Sequence, residues 1–437
     1  MKVAFYTLGC KVNQYESQAM AELFLRRGHQ VVSPEEGADV YIINSCTVTA
    51  AGDKKTRQAV RRFRRQSPGS VVVLTGCLPQ TDPQAAETLP EADVVMGNRD
   101  RAGVVDRVEQ FLRERERIVS VPAHCSGEAF EELDALGEEG RTRAFLKIQD
   151  GCTQFCAYCI IPYARGPLRS CPLEDLRREV RQLAAAGYRE VVLTGINLSL
   201  YGREQGCRLP DAVEAAASVS GIRRVRIGSL EPELLTDEDI ARLAAVEKLC
   251  GQFHLSLQSG CDATLARMNR HYTTARYREI AAKLRAAFLG CAITTDVITG
   301  FPGETEAEFQ ETLAFVEGMA FAAVHIFPYS QRRGTAAAGM EAQVPMEERR
   351  SRAARLARVT EAAAARFRRE QVGSVQRVLI ERMQHPDYIQ GYTENYTPVR
   401  ILSTEDRRGE ILTVQLIDAG TERCLGVEIE SPETGGF

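Results

Sequence analysis

Short apolar runs alternate with amphipathic stretches along the first 120 residues of the chain. From about Glu16 to Arg27 the apolar side chains recur on one helical face, and Gly28 ends the pattern. Four apolar runs are typical of buried strands, at residues 3–10, 40–46, 71–77 and 94–98. Strands that alternate with helices indicate an open parallel sheet with helices on both faces. We therefore expect an α/β domain over residues 1–120.

The alternation of strands and helices resumes from residue 142 to residue 369, after a polar, acidic stretch at 121–141 that is typical of a linker. Helices are predicted at residues 173–186, 274–288 and 304–318. Strands are predicted at residues 145–151, 190–197, 224–229, 253–258, 293–300 and 323–329. About six such units indicate a partial (β/α)6 barrel, whose functional residues should lie at the carboxyl ends of its strands.

The pattern changes to short β runs in residues 370–437, after an arginine-rich helix predicted at residues 349–370. About five strands in so short a segment favour a small β-barrel. The predicted fold class is therefore α/β, with an open parallel sheet, a partial barrel and a small β-barrel in that order.

Composition narrows the class of protein. The chain has 437 residues, of which 44% are hydrophobic and 26% charged, as in an ordinary globular protein. It has no apolar run long enough to span a membrane, and its start lacks the layout of a signal peptide. We therefore expect a cytoplasmic protein with no membrane partner. The net charge of −4 does not by itself indicate nucleic-acid binding. The 13 cysteines favour metal ligation over disulfides in a reducing compartment.

Three of these cysteines, Cys152, Cys156 and Cys159, lie on a loop that follows a predicted strand. Thiolates suit iron–sulfur clusters or zinc. A structural zinc site usually takes four ligands in two spaced pairs, whereas no fourth Cys or His is near this loop in sequence. The spacing favours a cubane cluster with one open iron. A zinc loop or three reduced thiols remain the alternatives.

Three further cysteines, Cys10, Cys46 and Cys77, each follow a predicted strand of the first domain. Because the carboxyl ends of parallel strands meet at one edge of a sheet, these thiols should converge. This arrangement predicts a second three-thiolate cluster, and the alternative is that they are small buried hydrophobic residues. We expect the other cysteines to be structural.

The spacing Cys-x-x-x-Cys-x-aromatic-Cys, with Tyr158 as the aromatic residue, resembles the cluster loop of the radical S-adenosylmethionine (SAM) superfamily. The segment Thr7-Leu-Gly-Cys-Lys-Val-Asn-Gln-Tyr-Glu-Ser17 resembles the opening signature of the methylthiotransferases, above all the branch acting on N6-threonylcarbamoyladenosine in tRNA. The resemblance implies two 4Fe-4S clusters, with chemistry at the clusters rather than at acid–base side chains. Cys152, Cys156 and Cys159 would hold the cluster that is open to SAM. Cys10, Cys46 and Cys77 would hold the other.

The same resemblance implies residues that contact SAM. Tyr158 lies within the cluster loop, and Gly195 and Asn197 belong to a segment that faces the amino group of SAM in the superfamily. Ser256 and Gln258 could hydrogen-bond the polar parts of SAM, with ordinary barrel packing as the alternative for both.

The implied reaction replaces the C2 hydrogen of N6-threonylcarbamoyladenosine at position 37, beside the anticodon, with a methylthio group. The implied partners are the tRNA anticodon stem-loop and an electron donor such as flavodoxin or ferredoxin. The same chemistry on N6-isopentenyladenosine, or on an aspartate of a ribosomal protein, is the nearest alternative. A non-enzymatic iron–sulfur protein that binds RNA or transfers electrons is an alternative from another class.

Two segments are candidates for RNA contact. Residues 370–437 resemble the TRAM domain, an RNA-binding β-barrel, in which Tyr392 or Tyr396 could stack on a base, with core packing as the alternative. The basic stretches Lys54-Lys-Thr-Arg57 and Arg61-Arg-Phe-Arg-Arg65 would contact phosphates, or would form an ordinary solvated helix face.

Overall fold

The structure is a computed structural model that describes residues 1–82, 84–133 and 141–430. The linker predicted at 121–141 and the small barrel predicted at 370–437 therefore lie partly outside the described residues. The domain boundaries stay predictions. Within the described ranges, no helix combines the length and apolar character that crossing a bilayer requires.

The first domain is a parallel sheet of six strands in the order β2-β1-β3-β4-β5-β6. The strands are β1 (Lys2–Thr7), β2 (Gln30–Val32), β3 (Val40–Ser45), β4 (Val71–Gly76), β5 (Val94–Met96) and β6 (Ile118–Ser120). The helices are α1 (Lys11–Arg26), α2 (Ala50–Gln66), α3 (Cys77–Thr81), α4 (Ala85–Thr88) and α5 (Val104–Glu114). Helices α1 and α5 cover one face and α2 covers the other, so the central strands β3 and β4 are buried along their whole length.

Helix α1 begins at Lys11 rather than near Glu16, where the apolar pattern first becomes regular. Its first turn closes through the Gln14 N–H, which donates to the Cys10 carbonyl at 3.1 Å. Asn13 and Glu16 are buried although they are polar, because they meet polar partners of the central domain. Apolar periodicity could not predict a turn that is buried by polar contacts.

The central domain is a partial barrel, as predicted. Its strands are β7 (Arg143–Lys147), β8 (Gln149–Asp150), β9 (Arg169–Ser170), β10 (Glu190–Thr194), β11 (Arg224–Ile227), β12 (Ser229–Leu230), β13 (Gln252–Leu255), β14 (Ala292–Thr299) and β15 (Ala323–Pro328). The parallel sheets β11-β10-β7 and β12-β13-β14-β15 form its wall, and the short β8 and β9 pair antiparallel beside it. Only Gly228 separates β11 from β12, so one interrupted strand joins the two sheets.

Helices cover the outside of this barrel. They are α6 (Ile161–Arg165), α7 (Leu173–Ala185), α8 (Leu209–Ala217), α9 (Asp237–Ala244), α10 (Asp262–Arg267), α11 (Thr274–Ala287), α12 (Glu306–Met319) and α13 (Met346–Gln371). Alternate strand residues such as Ala144, Leu146 and Val225 pack in the core against these helices. Their neighbours along each strand therefore face the lumen.

The last described part of the chain is a closed barrel in the order β16-β17-β18-β20-β19. Its strands are β16 (Val375–His385), β17 (Tyr388–Thr393), β18 (Pro398–Leu402), β19 (Ile411–Ala419) and β20 (Cys424–Glu428). It has its own apolar core, which confirms the predicted small β-barrel.

Candidate active site

The first thiol set, Cys152, Cys156 and Cys159, lies on the loop between β8 and α6. The Cys152 N–H donates to the Gly166 carbonyl at 3.1 Å and fixes the start of the loop. Gly151 has a φ of +73°, and a Cβ at this residue would lie 1.9 Å from the Pro167 carbonyl oxygen. The tight turn before the cysteines therefore requires glycine.

Side-chain N–H groups lie beside two of these sulfur atoms. The Arg270 guanidinium donates to Cys156 Sγ at 3.2 Å, and the Asn197 amide lies 3.9 Å from Cys152 Sγ. Arg270 is buried and pairs with Glu231. Burial, and then the neighbouring Cys156, raise the pKa of Cys159 to about 12. Donors aimed at the sulfurs suit an anionic, thiolate-bound cluster, so these residues fit the iron–sulfur cluster that the family resemblance implies.

The second thiol set, Cys10, Cys46 and Cys77, follows the adjacent strands β1, β3 and β4. A Cβ added to Gly9 would lie 2.8 Å from the Cys46 Cβ, so glycine allows these two turns to approach closely. The Asn98 amide donates to Cys77 Sγ at 3.5 Å. Burial first, and then Cys77 and more weakly Cys10, raise the pKa of Cys46 to about 11. The three sulfurs thus share one environment, and their role as cluster ligands stays a prediction.

The spacing of both thiol sets bears on the zinc alternative. Within the ranges that the structure describes, only His254, Asp296 and His325 bring three ligating atoms within 4.8 Å of one another. Neither thiol set is that compact, whereas a single ion needs closely spaced ligands. The choice between an iron–sulfur cluster and a zinc ion at each thiol set stays a prediction.

A cavity of about 220 Å³ lies beside both thiol sets. Cys159 and Tyr158 of the first set's loop contribute to its wall, as do Val48 and Thr49, which closely follow Cys46. The remaining wall is mostly apolar, with a few polar groups: Ile160, Ile161, Gln258, Asp296, Ile298, Phe327, Pro328, Tyr329 and Ser330. An apolar pocket with a few convergent polar groups is typical of a site for a small organic ligand.

The proposed SAM contacts divide into two groups. Tyr158 and Gln258 line the cavity, and Gln258 adopts a φ of +69° there. Gly195, Asn197 and Ser256 lie outside the described cavity wall. The Asn197 N–H donates to Gln149 Oε1 at 2.7 Å, and the Ser256 carbonyl accepts from the Tyr272 hydroxyl at 2.7 Å. The Asn197 amide also lies beside Cys152 Sγ. The part of all five residues in binding SAM stays a prediction.

A buried ionic network joins the two thiol sets, and sequence analysis missed it. Glu16 follows Cys10 on α1, and Arg165 ends α6 behind Cys159. Arg165 donates to Glu16 Oε2 at 3.0 Å, and Lys147 donates to Glu16 Oε1 at 3.2 Å. Although burial opposes ionisation, Arg101, Arg165 and Lys147 lower the pKa of Glu16 to about 2. The network therefore fixes one set of cysteines relative to the other.

The two tyrosines that could stack on a base pack against each other and against arginines of the partial barrel. Tyr392 and Tyr396 stack on each other, with ring centroids 4.6 Å apart. The Arg143 guanidinium lies 5.4 Å and 5.0 Å from the two centroids, and that of Arg226 lies 4.7 Å from Tyr396. These contacts between the two barrels favour the packing alternative, and stacking of either ring on a base stays a prediction.

The sequence matches three known families. Residues 2–97 match "Uncharacterized protein family UPF0004", residues 146–316 match the radical SAM superfamily and residues 369–422 match the TRAM domain. A Bacillus subtilis protein named threonylcarbamoyladenosine tRNA methylthiotransferase MtaB is 41% identical over 96% of this chain and 94% of its own length. The chain belongs to the radical-SAM methylthiotransferase family.

Other members of the methylthiotransferase family differ in the substrate that they name. A Thermotoga maritima protein with the same name as the B. subtilis relative is 36% identical over 99% of this chain and 98% of its own length. A Symbiobacterium thermophilum protein named tRNA-2-methylthio-N(6)-dimethylallyladenosine synthase is 33% identical over 99% of this chain and 95% of its own. The radical SAM methyltransferase TsrM from Kitasatospora setae, solved with cobalamin and a [4Fe-4S] cluster, has a TM-score of 0.56 at 14% identity over 77% of each chain, which supports the fold alone.

Proposed function

We propose that this protein methylthiolates C2 of N6-threonylcarbamoyladenosine at position 37 of tRNA. The observation that carries the proposal is the near full-length similarity to relatives named for this substrate, at 36% to 41% identity. Relatives named for dimethylallyladenosine reach 30% to 34%. Two thiol sets beside one cavity support a reaction that needs both clusters near the base.

The cofactors follow from this proposal. Cys152, Cys156 and Cys159 would hold a 4Fe-4S cluster whose open iron binds SAM, and Cys10, Cys46 and Cys77 would hold a second 4Fe-4S cluster. When bound, these groups would supply the radical that attacks an unactivated C–H bond and the sulfur that replaces the hydrogen. Arg270 and Asn197 would support the thiolates through N–H donors, and Tyr158 and Gln258 would shape the cavity.

The partners would be the tRNA anticodon stem-loop and an electron donor such as flavodoxin or ferredoxin, in the cytoplasm. Residues of two domains line the cavity, and the target base would have to be extruded from its loop to reach it. The TRAM match supports RNA as the partner.

The test is mass spectrometry of tRNA nucleosides from cells with and without the gene. We expect deletion to remove 2-methylthio-N6-threonylcarbamoyladenosine while its unmodified parent accumulates. Loss of the methylthio form of isopentenyladenosine instead would assign the dimethylallyl substrate. No change in either nucleoside would overturn the tRNA proposal and direct the search to ribosomal protein. Formation of 5′-deoxyadenosine by the reduced protein would separate the enzyme from a non-enzymatic iron–sulfur protein.

A further inference from the structure

Lys11 has a position that the proposed reaction does not yet explain. It is the first residue of α1 and directly follows Cys10 of the second thiol set. Its ammonium lies 5.8 Å from the ring centroid of Phe145 on β7. Ala144 and Leu146 pack in the core behind β7, so Phe145 faces the lumen. Lys11 therefore reaches from the rim of the second thiol set into the lumen of the barrel.

The cations around Lys11 form ion pairs, whereas Lys11 does not. Arg143 pairs with Glu381, Arg226 lies 3.0 Å from Glu190, and Lys147 lies 3.2 Å from Glu16. Lys11 has no carboxylate within ion-pair distance among the described residues. The Lys11 side chain is exposed, so its ammonium is hydrated and can form a charge-assisted hydrogen bond with an incoming anion.

The local potential is positive around this unpaired ammonium. Arg143 and Arg226 act on Lys11 electrostatically, and Glu190 acts in the opposite direction. The Arg141 guanidinium lies 5.6 Å from the same Phe145 ring. Two exposed cations therefore lie beside one aromatic ring. Such a site attracts an anion that also presents an apolar surface to the ring.

The proposed substrate carries an anion of this kind. Threonine is joined to the base through its amino group, so its carboxylate stays free and ionised, whereas an isopentenyl group has no charge. We infer that Lys11, above Phe145, binds the threonine carboxylate of the modified adenosine and thereby selects it over the neutral isopentenyl form. This inference rests on the proposed function and assigns the residue that sets its substrate.

A lysine that binds the threonine carboxylate could equally bind a phosphate of the tRNA, because both present an anionic oxygen. The experiment must therefore distinguish the carboxylate from the phosphates. We would use anticodon stem-loop RNAs that carry either N6-threonylcarbamoyladenosine or its threonine methyl ester. Both RNAs have the same phosphates, and only the first has the carboxylate. The variants are Lys11→Met, Lys11→Arg and, as the matched control, Lys2→Met, which removes a lysine from the opposite end of β1.

Two quantities are measured for each holoprotein: the Kd of each RNA by fluorescence anisotropy, and kcat/KM for methylthiolation. Hydrogen bonds to charged groups contribute about 1.5–3 kcal/mol, which corresponds to roughly a 10- to 150-fold preference of the wild type for the acid over the ester. We expect Lys11→Met to abolish this preference in both Kd and kcat/KM. We expect Lys11→Arg to retain most of it and Lys2→Met to retain all of it. The preference is a ratio of two values measured on the same protein. Incomplete loading of the clusters affects both values equally and leaves the ratio unchanged.

Two outcomes would overturn the inference. If Lys11→Met weakens the acid and the ester equally, the lysine contacts phosphate or supports the neighbouring cluster. If Lys11→Met changes the affinity for neither RNA, another group binds the carboxylate. Failure of the proposed function looks different, because wild-type protein would then methylthiolate neither RNA.

Discussion

At the scale of single residues, the environment of each sulfur separates the proposed ligands from the structural cysteines. Cys171 and Cys291 lie within the main apolar core, and Cys424 lies within that of the small barrel. Cys77 and Cys156, in contrast, accept from the side-chain N–H groups of Asn98 and Arg270. Polar donors aimed at sulfur are what a thiolate-bound cluster needs.

This contrast predicts the effect of removing individual thiols. We expect Cys156→Ala to lose about half of the bound iron together with all cleavage of SAM. We expect Cys77→Ala to lose a similar share of iron and all methylthio product, while SAM cleavage to 5′-deoxyadenosine persists. The measurements are iron and sulfide analysis and chromatography of the nucleosides.

The exposed Cys125 is the control, because Cys125→Ala removes a thiol outside both sets. It should retain all iron and activity. Full iron content in Cys77→Ala would contradict the assignment of a second cluster.

The charge of Glu16 is also a residue-scale property. Its carboxylate contacts Arg165 and Lys147 in the buried network, and removal of one partner from a buried ionic network typically costs about 3–5 kcal/mol. We expect Glu16→Gln to lower the free energy of unfolding by about this amount at pH 7, as measured by anaerobic urea denaturation. Glu22→Gln on the same helix is the control, and we expect a change of about 0.5 kcal/mol or less.

The pH dependence of this contribution has a definite sign. The folded-state pKa of Glu16, at about 2, lies below its ordinary value of 4.5. The stabilisation is therefore complete above pH 4.5 and is lost as the pH falls toward 2. Equal stability of wild type and Glu16→Gln at pH 7 would contradict the role of the network.

At the scale of elements, the basic helix α2 is only partly available for RNA. Arg57 pairs with Asp82 at 2.7 Å, Arg61 lies 3.4 Å from Glu91, and Arg64 pairs with Asp93. These arginines hold the helix to its own domain, which charge patterning could not distinguish from a nucleic-acid surface. Lys54 and Lys55 are exposed and have no carboxylate within ion-pair distance among the described residues.

These two lysines are therefore the part of α2 that we expect to contact phosphate. The double variant Lys54→Ala and Lys55→Ala should weaken tRNA binding and reduce the slope of log K against log salt by about 0.7–0.9 for each lost contact. Anisotropy titrations at several salt concentrations measure this slope. Arg113→Ala, on α5 at the opposite face of the sheet, is the control and should leave the slope unchanged. An unchanged slope in the double variant would exclude this part of α2 from the RNA surface.

The elements also show how far sequence reasoning extends. The apolar strands β3 and β4 were predicted within one residue, because they are buried on both faces and their pattern is complete. The first turn of α1 and the placement of Arg270 were not predicted, because both depend on polar partners distant in sequence. Tyr392 could be placed in the small barrel from the sequence, but its contact with Arg143 of the partial barrel could not.

At the scale of the whole molecule, arginines of the partial barrel hold the small barrel in place. Arg226 donates to the carbonyls of Glu394 at 3.0 Å and Thr393 at 3.3 Å, and its guanidinium covers Tyr396. Since the small barrel has its own core, loss of this contact should loosen its docking without unfolding it.

We therefore expect Arg226→Met to increase hydrogen–deuterium exchange in the segment around Tyr396, while the amides of β16 and β19, in the core of the small barrel, stay protected. Mass spectrometry of peptic fragments measures this exchange. Arg408→Met, an exposed arginine of the same small barrel, is the matched control and should match wild type. If exchange near Tyr396 does not change, the remaining contacts, such as the Asn395 amide with the Gly290 carbonyl at 2.9 Å, hold the docked position by themselves. If β16 and β19 lose protection as well, the two barrels fold as one unit and Arg226 stabilises the core rather than the docking.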